Sequence, residues 1–160
     1  MKVSVQFNEF LNTVDSRYQL FVTKINDLLM LNKCKCNIKP AKNGFLVSYL
    51  INKKTVASFV ARKSGMKLRI YPKSIVKHED FLNSLPVKMK KEIIKASVCK
   101  RLIDPEACNP KCVMGYDFMM DNEHYQKCRY MAFTFTLSEE SNPYIKTFLE
   151  LVLKSSTVNG

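Results

Sequence analysis

Between Asn43-Gly44 and Pro72 the chain falls into three short runs, and in the first and third apolar residues recur at every second position, a period that suits a half-buried pleated sheet and no helix. In the first run Phe45, Val47, Tyr49 and Ile51 share one face. Asn52-Lys53 reads as a tight turn into a second strand, Thr55 to Arg62. Lys63-Ser64-Gly65 then turns the chain into a third, with Met66, Leu68 and Ile70 inward and Lys67, Arg69 and Tyr71 outward. Pro72 closes it. Three strands joined by short turns form an antiparallel meander.

The rest of the chain has to cover one face of that sheet. Apolar spacing from about Phe7 to Leu31, carried by Phe10, Leu11, Val14, Tyr18, Phe21, Val22, Ile25, Leu28 and Leu29, predicts one long amphipathic helix. His78 to Leu85 reads as a short helical piece, and Leu85-Pro86 opens a firmer helix to about Ala96, since proline is tolerated in a first turn. Residues 97–114 are irregular. Strand character returns at Tyr116 to Met120, turns at Asp121-Asn122, and runs again across Tyr125 to Leu137. There Met131, Phe133, Phe135 and Leu137 alternate with Tyr130, Ala132, Thr134 and Thr136. Asn142 and Pro143 begin a closing helix that carries Ile145, Phe148, Leu149 and Val152. This order lacks the regular strand–helix alternation of a doubly wound parallel sheet. The expected fold is α+β: an antiparallel sheet, meander plus second hairpin, packed by an N-terminal, a middle and a C-terminal helix. With 160 residues and no repeat or linker, one domain over residues 1–155 and a frayed tail over 156–160 are expected.

Glycine is scarce. The four glycines, at positions 44, 65, 115 and 160, are nowhere clustered, which excludes a Walker loop or a dinucleotide-binding turn. The start Met1-Lys2-Val3-Ser4-Val5-Gln6 lacks the apolar run of a signal peptide, and no window approaches the roughly 18 apolar residues of a membrane span. The expectation is a soluble cytoplasmic protein without a membrane partner, whose six cysteines are free or metal-bound.

The net charge of +12 is concentrated in the middle of the chain. Residues 33–101 carry 18 basic and three acidic side chains, whereas residues 1–32 are neutral and residues 102–160 carry five basic and eight acidic. Basic groups interleave there with aromatics, as a surface needs in order to hold phosphates and stack a base. Strand parity groups Lys67, Arg69 and Tyr71, close to Arg62, while Lys88, Lys91 and Lys95 form a solvent-facing row at i, i+3 and i+7 on the middle helix. These seven are the candidate contacts to an anionic partner such as nucleic acid. The rival reading is compositional: 21 of the 26 basic residues are lysine and asparagine is abundant, as in proteins from AT-rich genomes. On that reading the chain is a small-molecule or protein-binding domain, with an apolar pocket between the sheet's other face and the first helix.

The most specific motif is Cys99-x8-Cys108-x3-Cys112-x15-Cys128. Asn109-Pro110 bends the central pair so that one loop can supply two tetrahedral ligands, and Cys99 and Cys128 would supply the other two to a structural zinc ion. Neighbouring Lys100, Arg101, Lys111, Lys127 and Arg129 favour thiolates. Four thiolates around zinc would leave a net charge of about +10. Unliganded buried thiols, an iron–sulfur cluster or a redox disulfide are the alternatives. His124 could replace one cysteine, although beside the Asp121-Asn122 turn it reads as an exposed loop histidine, and Cys34 and Cys36 read as strand-edge thiols. His78, before Glu79-Asp80, reads as a helix-start residue. With these two histidines alone, and neither His-Glu-x-x-His nor Gly-x-Ser-x-Gly, binding is expected rather than catalysis.

The stretch from Lys54 to Pro72, KTVASFVARKSGMKLRIYP, resembles the hairpin of the YdhG-like group of small bacterial domains. That resemblance covers roughly residues 18–97 and implies an α+β fold with a curved sheet. The segment from Val98 through Cys108-Asn-Pro-Lys-Cys-Val-Met-Gly-Tyr-Asp-Phe to Tyr125-Gln-Lys-Cys-Arg-Tyr is similar to a Cys-rich C-terminal segment of hypothetical proteins from low-GC anaerobic bacteria. The YdhG-like pattern has no such segment. Neither resemblance supplies catalytic residues.

Overall fold

Turn chemistry sets the sheet. Asn52 and Lys53 have φ of 51° and 68°, and Asp121 and Asn122 have 52° and 65°, the paired positive values of a type I′ turn whose twist matches that of the strands it joins. The computed structural model describes residues 4–104, 106–107 and 114–158. Four consecutive antiparallel strands, β1 (Lys35–Ala41), β2 (Gly44–Ile51), β3 (Lys54–Arg62) and β4 (Gly65–Ile70), are extended by β7 (Thr134–Thr136) in the order β1-β2-β3-β4-β7. A separate hairpin pairs β5 (Tyr116–Met120) with β6 (Glu123–Lys127). The fold is α+β with an antiparallel sheet, as the alternation predicts.

Register gives the sheet two unlike faces. Val47, Phe59, Leu68 and Phe135 stand opposite one another from β2 to β7, and all are fully buried. Burying each such side chain contributes on the order of 1.5–3 kcal/mol. Helices α1 (Val5–Asn12), α2 (Gln19–Leu31) and α6 (Asn142–Val158) supply core partners such as Phe10, Ile25, Leu29 and Phe148; Phe10 meets Phe59 at 5.5 Å between ring centroids. Lys67 and Arg69 alternate with the buried Leu68 and Ile70, and so lie on the opposite, outer face. Arg62 joins them by parity from β3.

The structure departs from the sequence reading in several places. The single N-terminal helix is two helices: Thr13 Oγ1 donates to the Phe10 carbonyl at 2.6 Å, and Asp15 Oδ1 accepts from the Arg17 amide to start a 3-10 turn at Ser16–Tyr18. Gln19 Nε2 donates to the carbonyls of Leu11 and Val14, so both ends at the break are satisfied and the apolar period runs through it. A fourth strand, β1, precedes the meander. It is an edge strand, which tolerates Pro40, and its alternation is muted because only Cys36 and Ile38 face inward. The run Tyr125 to Leu137 is split as well. The amides of Met131 and Ala132 both donate to the Cys128 carbonyl, and this turn resets parity: Ala132 is fully buried and Met131 is exposed, the reverse of uninterrupted alternation. The turn is also what sends β7 away from β6 and onto β4.

The middle helix, α4 (Val87–Lys95), follows a 3-10 turn (Ile75–His78) and α3 (Glu79–Asn83). It docks on the sheet edge: Glu92 Oε2 accepts from both the amide and the hydroxyl of Thr136 at 3.0 Å. A short α5 (Lys100–Ile103) lies within the stretch expected to be irregular, and α6 continues past Ser155 to Val158.

Candidate anion-binding groove

Where α4 crosses the edge of the sheet, it leaves an open groove of about 300 Å³. The outer face supplies Arg62 from β3, Lys67 and Arg69 from β4 and Thr134 from β7; the C-terminal half of α4 supplies Glu92 and Lys95, followed by Ala96. Tyr130 and Met131, from the turn between β6 and β7, complete the wall. Four of the seven cationic or aromatic residues predicted from sequence, Arg62, Lys67, Arg69 and Lys95, therefore meet in one place.

None of these four cations is in an ion pair among the described residues. Arg69 is held from behind: its Nε donates to Thr134 Oγ1 at 3.3 Å and its Nη1 to the Tyr71 hydroxyl at 3.4 Å. The single carboxylate of the lining is committed to Thr136 through Oε2, while its Oε1 is buried and has no partner among the described residues. Four cations against one carboxylate leave the groove with an excess of positive charge, whose Coulomb cost an anion would relieve.

The other predicted contacts fall elsewhere. Tyr71 lies one residue beyond β4 and is only 8% exposed, so it supports Arg69 instead of offering a face to a ligand. Its ring meets Tyr130 at 6.1 Å and an interplanar angle of 79°, and the Arg129 guanidinium lies 5.5 Å from its centroid. Lys88 and Lys91 are exposed one helical turn before Glu92 and Lys95, outside the groove lining but continuing its charged row along α4. Glu92, Tyr130 and Met131 are absent from the sequence-predicted contacts. The available signal was the outward set that already contains Tyr130 and Thr134; it pointed to the right face without showing that β7 would join β4.

Other cations have fixed duties. Lys127, 7% exposed, donates to the carbonyls of Ile94 at 2.7 Å and Ala96 at 2.9 Å and so satisfies the C-terminal end of α4. Arg129 sits between the rings of Tyr71 and Tyr116, and Lys90 pairs with Asp121 at 3.0 Å.

Of the proposed zinc ligands, Cys99 and Cys128 flank a short antiparallel bridge, Val98 to Lys127. The Cys99 amide donates to Gln126 and the Cys128 amide to Ser97. Cys99 Sγ accepts the Gly115 amide at 3.3 Å. A Cβ at Gly115 would stand 2.2 Å from the Lys127 carbonyl oxygen and 3.0 Å from Cys99 Sγ, so only glycine permits this approach. Cys108 and Cys112 lie outside the described residues, and among the described ones no three His, Cys, Asp or Glu side chains gather as a metal site would require. Cys34 and Cys36 belong to a different neighbourhood, beside Tyr49, whose hydroxyl donates to Asn26 at 2.6 Å. Burial pushes the Cys34 thiol up to about 11 and raises Cys36 as well, which makes both poor thiolates at neutral pH. His124 lies in β6, exposed, with Nε2 2.7 Å from Asp117 Oδ1; that contact holds the Asp117 carboxyl below its usual range. His78 is buried against Phe148, and burial first, then Lys77, lowers its basicity. Among the described residues no hydroxyl or thiol is bonded to either histidine, so no nucleophile–base pair is seen.

Compared with family models, with curated proteins and with solved structures, the chain matches none. Among the described residues no helix is long and apolar enough to cross a membrane.

Proposed function

We propose that this is a cytoplasmic, non-enzymatic binding module whose basic outer sheet face and α4 hold a polyanion, with nucleic acid as the partner. The observation that carries this reading is the groove, where cations from three different elements gather without an ion pair among the described residues.

 Arg62, Lys67, Arg69 and Lys95 converge there from β3, β4 and α4, while Lys90, Lys127 and Arg129 nearby each have a partner. By register, Lys35 and Lys39 of β1 extend the same outer face, with Lys39 about 14 Å from Lys67 at the usual strand spacing. The charged row of Lys88 and Lys91 extends it along α4. Phosphates spaced along a nucleic acid backbone are a natural complement to such a track.

The rival reading, a small molecule held between the inner face and the first helix, finds less support. Phe7, Phe10, Tyr49 and Phe59 pack into that space with ring centroids 5.5 to 6.1 Å apart. Binding of labelled duplex and single strands at two salt concentrations tests the proposal. A polyanion site gives affinity that falls steeply with salt, and no binding even at low salt would defeat it.

The module is proposed to be stabilised by a structural zinc ion on Cys99, Cys108, Cys112 and Cys128. The Val98–Lys127 backbone bridge that Cys99 and Cys128 flank, and the Gly115 amide directed at Cys99 Sγ, support this part of the reading. Elemental analysis of protein purified without chelator is expected to give about one equivalent of zinc, lost together with thermal stability in Cys108→Ser. Metal-free, fully folded protein would contradict it.

A further inference from the structure

We propose that the groove is a one-nucleotide site for single-stranded nucleic acid, with the phosphate among Lys67, Arg69 and Lys95 and the base on the exposed ring of Tyr130. This rests on the polyanion reading and goes beyond it by choosing an unpaired strand over a duplex.

The shape comes first. At about 300 Å³ the groove is at the small end of ligand pockets, enough for one ring with its phosphate. A duplex keeps its bases stacked inside and offers only its backbone to such a recess. The lining comes second. Tyr130 is 43% exposed and Met131 46%, so apolar surface adjoins the cations. A phosphate makes no use of that surface, whereas an unpaired base can stack on it whatever its identity. Pre-organisation comes third: the Tyr130 ring stands against the buried Tyr71, the same side chain whose hydroxyl accepts from Arg69. One buried residue thus positions both the proposed stacking platform and a phosphate ligand, which reduces the ordering cost of binding.

The test uses the full chain and fluorescence anisotropy with a short mixed-sequence single strand and its duplex at low salt. The single strand is expected to bind more tightly. Tyr130→Ala should weaken it by about 5- to 100-fold and leave duplex affinity unchanged, whereas Lys67→Ala should weaken both. Tyr130→Phe should retain single-strand binding. Tyr130→Leu, which preserves bulk without the ring, should behave as Tyr130→Ala and guards against a folding defect, read separately by thermal melting. Equal binding of strand and duplex with no effect of Tyr130→Ala, while Lys67→Ala still weakens both, would overturn the one-nucleotide site and leave the polyanion surface standing. No binding of either probe to the wild-type chain would overturn both.

Discussion

The cations around the junction of β6 with α4 and those that line the groove differ in what holds them. Lys127 is buried and bonded to two carbonyls, Arg129 lies between two tyrosine rings and Lys90 meets Asp121. Among the described residues Arg62, Lys67 and Lys95 are in no ion pair, and the Arg69 side chain bonds to hydroxyls alone. The first group holds the fold together. The second adds repulsion to it, and its grouping makes sense as a surface for an anion. Net charge by itself conceals this division.

Removing a cation from each region separates the two roles. Lys127→Met leaves the Ile94 and Ala96 carbonyls unsatisfied and should cost roughly 2–4 kcal/mol in urea unfolding. Gly115→Ala acts on the same junction by forcing a Cβ against the Lys127 carbonyl, at a cost of about 1–3 kcal/mol by the same measurement. In the groove, Lys67→Glu with Lys95→Glu should change stability by less than about 0.5 kcal/mol per site while abolishing polyanion binding. A large loss of stability there would erase the distinction between the regions.

The smallest expected effect concerns pH. Burial lowers the basicity of His78, so the unfolded state takes up a proton first on acidification. The neutral histidine is no liability above the unfolded value near 6.5, and stability should fall as pH drops below it toward the lower folded value. His78→Phe should remove that part of the pH dependence, as read from melting temperature between about pH 7 and pH 5.

The meander and the β5–β6 hairpin were legible because alternation and turns agree: Asn52-Lys53 in the one and Asp121-Asn122 in the other turn where their residue types suggest. The break at Thr13–Asp15 was hidden because apolar spacing continues across it, and β1 because an edge strand buries so little. For the site, parity placed Arg62, Lys67 and Arg69 on one face, and helical spacing placed Lys95 toward solvent. Their meeting depends on Glu92 docking on Thr136 and on the Cys128–Ala132 turn, long-range events that no local pattern encodes. Tyr71 was misplaced for a related reason. It follows the strand parity of β4, but it is covered by Tyr130 and Arg129, which arrive from a distant part of the sequence.

The salt dependence of binding addresses the groove most directly. Arg62→Ala, Lys67→Ala and Lys95→Ala combined should reduce the slope of log affinity against log salt by about 2 to 3, because each phosphate contact contributes about 0.7–0.9. Arg17→Ala with Lys146→Ala, which removes two surface cations that have acidic partners elsewhere, should leave the slope unchanged. An unchanged slope in the triple variant, or an equal loss in the control, would contradict a polyanion held by the groove.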